Sequence, residues 1–136
     1  MKKIILPGIV AGIVTLILGM AISYLFMLIP FVNADYNNSS IMRTWQDPIM
    51  SLFFLYPFIF GIALAWVWNK SKGLFKGSAR KRGTHFGLTY FIIATIPGML
   101  ISYVSFPISI FTIISWTVSG LINAIAAGWV FAKMNK

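Results

Sequence analysis

The chain has 136 residues, 59% of them hydrophobic, with no cysteine and a formal net charge of +9. A mean hydropathy of +0.87 is too high for a soluble domain of this size. Without Cys there is no disulfide exchange, thiolate nucleophile or cysteine-ligated metal.

A bilayer core needs about 20 consecutive apolar residues for a helical crossing. Four stretches meet that need: residues 4–31, 48–68, 86–104 and 108–132. Each is expected to be helical, because backbone polar groups in lipid must be satisfied within the segment. The first is preceded by Lys2 and Lys3 and followed by Val32-Asn33-Ala34, which imitates a secretory signal. A signal core is only about 7–15 residues long, so this stretch reads as an uncleaved first span.

The loop that follows carries Asp35, Arg43 and Asp47, and the two acids are the only ones in the chain. They are too few for a metal site, and Asp47-Pro48 reads instead as a cap and first helical residue. Asn37 and Asn38 each begin an Asn-x-Ser pattern, which matters only in a host that glycosylates the outer face. Trp45, Trp66, Trp68 and Trp129 lie near span ends, where amphipathic rings favour the headgroup region. Pro57 and Pro97-Gly98 fall within the second and third spans and are expected to kink them.

Between those two spans runs a basic loop, residues 69–85, with Lys70, Lys72, Lys76, Arg80, Lys81 and Arg82. With Lys2, Lys3, Lys133 and Lys136, ten of the eleven basic residues fall on one side. Positive loops remain cytoplasmic during insertion, so the N- and C-termini are expected inside. These charges suit an anionic leaflet better than nucleic acid, and the six loop residues are candidate lipid-headgroup contacts. His85, the sole histidine, stands at the end of this loop with no acid or nucleophile beside it. The link between the last two spans is the uncharged Ser105-Phe106-Pro107, a tight turn that makes them neighbours.

Gly8, Gly12 and Gly19 recur at helical spacing in the first span, and Gly120, Ala124 and Gly128 in the last. Such stripes allow close backbone approach between helices in lipid, within one bundle or across a homo-oligomer. Asn123 is the deepest polar residue in any span and shares a helix face with Ser119, four residues away. The pair could line a polar path or bond to a neighbouring helix. Residues 19–24 (GMAISY) match residues 98–103 (GMLISY) at all but one position, and residues 62–68 echo 125–131. Two related hairpins, with a pseudo-symmetry axis along the membrane normal, would explain this.

The Gly-rich first span, the basic central loop, the segment from Gly87 to Pro97 and the closing Trp116 to Trp129 segment resemble small uncharacterised four-span prokaryotic membrane proteins. That resemblance implies no reaction and no site residues. Small multidrug exporters are similar in length, but their pattern demands a Glu in the first span, and this one has none. Quinone-linked thiol oxidases have similar four-helix cores but depend on cysteines.

The expected fold is therefore an all-α membrane protein, an antiparallel four-helix bundle forming a single domain in the cell membrane. No catalytic, cofactor or metal site is expected, and no enzyme. The sequence favours a packing protein or membrane-complex subunit whose basic loop faces anionic lipid. The alternative is a small transporter or channel with a path near Asn123 and the breaks at Pro57 and Pro97-Gly98.

Overall fold

The computed structural model describes residues 2–135; Lys136 of the basic set lies outside them. All regular structure among the described residues is helical. Four helical segments are long and apolar enough to cross a membrane: Lys2–Phe26, Pro48–Leu74, Ala79–Ser105 and Ile110–Met134.

Prolines set several boundaries. Helix α1 runs Lys2–Phe26 and α2 runs Pro30–Tyr36. The ring of Pro30 would collide with the carbonyl of Phe26 four residues earlier, so α1 stops at that residue. The first span is thus shorter than residues 4–31, and Val32 is fully buried. The second span begins as a 3₁₀ segment, Pro48–Phe54, capped by Asp47, whose carboxylate accepts from Ile49 N at 3.0 Å. Helix α3, Tyr56–Ser71, follows. Pro57 therefore lies in the first turn of α3, where its missing N–H leaves no bond unmade. It marks the change of helix type and does not kink an α-helix from within.

Most of the basic loop is helical, with only residues 75–78 outside a helix. A 3₁₀ turn, Lys72–Leu74, is followed after a short break by α4, Ala79–Tyr90. Ser78 caps α4 by accepting from Lys81 N, so Arg80, Lys81 and Arg82 sit in its first turns. Helix α4 passes through a π turn, Phe91–Thr95, into α5, Ile96–Ser105. Pro97 lacks the N–H that would bond to the carbonyl of Ile93, and the widened turn accommodates its ring. Helix α6 spans Ile110–Met134, with Ser109 as its cap.

Glycines seat the helices closely in two pairs. A Cβ on Gly8 would lie 2.6 Å from Ile62 Cα, and one on Gly87 would lie 2.7 Å from Ile125 Cα. These two contacts correspond under the sequence repeat. The shift that carries Gly19 onto Gly98 carries Gly8 onto Gly87, and Ile62 is the match of Ile125. Gly12 adds a contact with Phe58, and Gly83 packs on Gly128. Beyond the π turn α5 touches α6 far less than α4 does, and α3 and α5 scarcely meet.

Lys3, the end of α3 and Asn135 converge. Asn135 Nδ2 donates to Lys3 O at 3.1 Å, Trp68 Nε1 donates to Asn135 O at 3.1 Å, and Lys72 Nζ donates to Asn135 Oδ1 at 3.0 Å. Above them Trp68, Phe86 and Phe131 form a buried aromatic cluster with Phe75 against it. Trp68 is fully buried, unlike the exposed Trp45, Trp66 and Trp129, because its ring fills this core instead of reaching the headgroups. The opposite end is tied by Asp35, whose carboxylate accepts from Ser109 N at 2.8 Å and Thr112 Oγ1 at 2.6 Å.

Candidate functional site: a cavity within the bundle

Where α3 and α5 part, the bundle holds a cavity of about 360 Å³, within the usual size range of small-molecule sites. Its walls come from α1, α3, α6 and the α4–π–α5 segment. It occupies the half of the bundle remote from Trp68 and Asn135, and Tyr36 and Phe53 lie over its far end. Tyr36 is held there by Trp116, whose Nε1 donates to the phenol oxygen at 2.7 Å. Tyr56 on α3 and Ala94 in the π turn, both exposed, also line it.

The helix types described above create this space. A continuous α-helix through Phe91–Thr95 would hold α5 in the same register against α6 as α4; the π turn changes that register. Thr95 is buried at the turn, and a Cβ on Gly120 would lie 2.7 Å from its methyl carbon. Gly120 is therefore part of the wall, where a side chain would meet Thr95.

The lining follows the repeat. Met20 matches Met99, Tyr56 matches Ser119, Pro57 matches Gly120 and Phe60 matches Asn123, and all eight border the cavity. The differences within these matches give the space two unlike walls. On α3 the wall is aromatic: Tyr56 and Phe60 stack with centroids 5.9 Å apart, and Tyr90 meets Phe60 edge-on at 5.4 Å. On α6 the wall is polar. Asn123 Nδ2 makes a long bond of 3.4 Å to Ser119 Oγ, while Asn123 Oδ1 is buried and accepts nothing among the described residues. Among the described residues no charged side chain lines the space.

The structure thus brings together Ser119, Asn123, Pro57 and Gly120 and sets Gly19 beside them, with Asn123 Nδ2 3.3 Å from where its Cβ would be. Gly8, Gly12, Ala124 and Gly128 lie elsewhere, in contacts between helices of the same chain. Gly98 borders open space. Of the six basic residues, Lys72 bonds to Asn135 and Arg82 lies 5.2 Å over the Trp68 ring. Lys70, Lys76, Arg80 and Lys81 are exposed. Arg43 and Asp47 pair at 2.7 Å, apart from the cavity, and His85 is exposed outside it. Among the described residues no three His, Cys, Asp or Glu side chains gather as metal ligands.

No family model matches the chain. Neither the curated proteins nor the solved structures give a match. The site therefore rests on its own chemistry.

Proposed function

We propose that this is a non-enzymatic multi-pass protein of the cell membrane that captures a small molecule in its bundle cavity, as a small transporter does. The cavity carries this conclusion, because a protein serving only to pack would have no reason to keep about 360 Å³ open beside a buried unpaired acceptor. The bundle is an antiparallel one of two related hairpins, with both termini and the basic end cytoplasmic. Support comes from the meeting of Lys3, Trp68 and Asn135 at one end and the equivalent Gly8–Ile62 and Gly87–Ile125 contacts. Charge bias assigns the basic end to the cytoplasm, and Lys70, Lys76, Arg80 and Lys81 face anionic headgroups there.

A cavity between two hairpins related about the membrane normal is an arrangement that lets one half move against the other. Closure at the basic end by Trp68, Phe86 and Phe131 supports a carrier more than an open channel.

The chain lacks cysteine, so single thiols report without background. In membranes, a Ser119→Cys thiol should react with N-ethylmaleimide, and Ala94→Trp at the rim should slow the reaction at least about tenfold. An Ala127→Cys thiol, at a fully buried position, should be inert. Equal inertness at both positions would refute the capture of a small molecule here.

A further inference from the structure

The two walls and the gap between α3 and α5 restrict what the cavity takes. Among the described residues no acid or base lines it, so an ionic occupant would lose its hydration without gaining a partner charge. The occupant is accordingly neutral when bound. Tyr56, Phe60 and Tyr90 present ring faces and edges along one side, which suits a flat ring. Opposite them, Ser119 and Asn123 line the other side, joined only by a long bond of 3.4 Å that leaves their polar groups incompletely satisfied. A weakly paired polar group gains from a better partner, and a ligand hydroxyl, which both donates and accepts, can bond to this pair.

The route of entry follows from helix contacts. Helix α1 packs on α3 and on α6, and α4 packs on α6, whereas α3 and α5 have little contact. Tyr56 and Ala94 are exposed lining residues on α3 and the π turn, and we take the opening to lie between them, facing lipid. Tyr36, Phe53 and Trp116 line the space towards the end where Tyr36 bonds to Trp116. A ligand dissolved in the bilayer reaches the cavity sideways.

We propose that the cavity binds a neutral, membrane-soluble ring compound carrying a hydroxyl, of the phenol or quinol class, admitted from lipid between α3 and α5. Its ring lies against Tyr56 and Phe60, and its hydroxyl bonds to the Ser119–Asn123 pair on the opposite wall. The proposal rests on the cavity being a capture site, which the Ser119→Cys labelling decides separately.

The test uses the full chain in nanodiscs and four probes sharing one ring system: 2-naphthol, 2-methoxynaphthalene, 2-naphthoate and a naphthyl-trimethylammonium salt. Binding is read as saturable energy transfer from tryptophan, with Trp116 at the cavity and empty nanodiscs subtracted. Wild type should bind 2-naphthol about fivefold or more tighter than the methoxy compound, the loss expected for one hydrogen bond. Asn123→Ala should weaken 2-naphthol by a similar factor and leave the methoxy compound unchanged. Ala94→Trp should slow naphthol association, which separates lateral entry from entry at the water side. Equal binding of naphthol and methoxynaphthalene would overturn the hydroxyl assignment. Tighter binding of either ion would overturn neutrality. Should no probe bind while the Ser119→Cys thiol reacts freely, the ligand class fails and the capture site stands.

Discussion

Asp35 shows how much one side chain can organise far from the chain segment that carries it. It is one of two acids, and its carboxylate holds both the backbone and the hydroxyl at the start of α6. Partial burial alone would raise its pKa, but the hydrogen bonds from Thr112 and Ser109 outweigh that, and the pKa falls below the ordinary value. A lowered pKa means that the folded state favours the charged form. Its stabilisation is complete above the unfolded value near pH 3.9 and is lost as the pH falls through the lower folded value. Asp35→Asn should therefore lower the thermal transition in detergent at pH 7, by about 1–2 kcal/mol for charge-assisted bonds at a partly exposed site. Wild type and variant should converge towards pH 2, and a difference that persists there would mean that charge is not the cause. Nothing in the sequence points to this link, because Asp35 lies in the first loop and Thr112 in the last span, 77 residues later. Asn123 and Ser119 were legible as the deepest polar pair, since any amide in a span stands out. Their aromatic counterparts Tyr56 and Phe60 were not, because on an apolar helix a cavity-facing ring reads the same as a lipid-facing one.

At the level of elements, proline and glycine carry most of the information, and composition shows only part of it. Four apolar stretches were legible from length alone. Their ends were not, because Pro30 terminates α1 through the carbonyl of Phe26, and Pro57 stands at a change from 3₁₀ to α-helix. The Gly8–Gly12 stripe was visible, while the Gly83–Gly87 pair that seats α4 on α6 was hidden among basic residues. The Gly8–Ile62 and Gly87–Ile125 contacts within these seams are equivalent under the repeat, which makes a specific expectation possible. Gly8→Leu and Gly87→Leu should each destabilise the bundle by about 1–3 kcal/mol, as overpacking does, and by similar amounts. Gly73→Ala should be silent, since no atom lies within 4 Å of its Cβ position. Chemical denaturation in mixed micelles reads all three. Because both seams lie within the chain, the leucine variants should lose folding stability rather than a dimer. A variant that changed only the oligomeric state would contradict the seam assignment.

Across the whole molecule, the two ends of the bundle differ although the helices that form them share the short sequence repeats. Under the repeat Trp68 corresponds to Phe131, and both are fully buried where α3 and α6 terminate. The corresponding positions nearer the other end line the cavity. One end is therefore filled by large rings and the other left open, from equivalent helices. A carrier would have to loosen this aromatic closure to release its cargo towards the basic end. Trp68 is the sensitive point, since its ring packs on Phe75 and Phe86 and its Nε1 donates to Asn135. Trp68→Ala should cost about 3–5 kcal/mol and make an Ala127→Cys thiol reactive towards N-ethylmaleimide. Trp68→Phe keeps most of the ring volume while losing the bond to Asn135, and should leave that thiol protected. Reactivity in the alanine variant with its thermal transition retained places the closure in the packing of the ring. Reactivity in both variants would place it in the hydrogen bond that joins α3 to the end of α6. Protection in both would mean that Trp68 is not the barrier, and the closed end would then depend on Phe86 and Phe131.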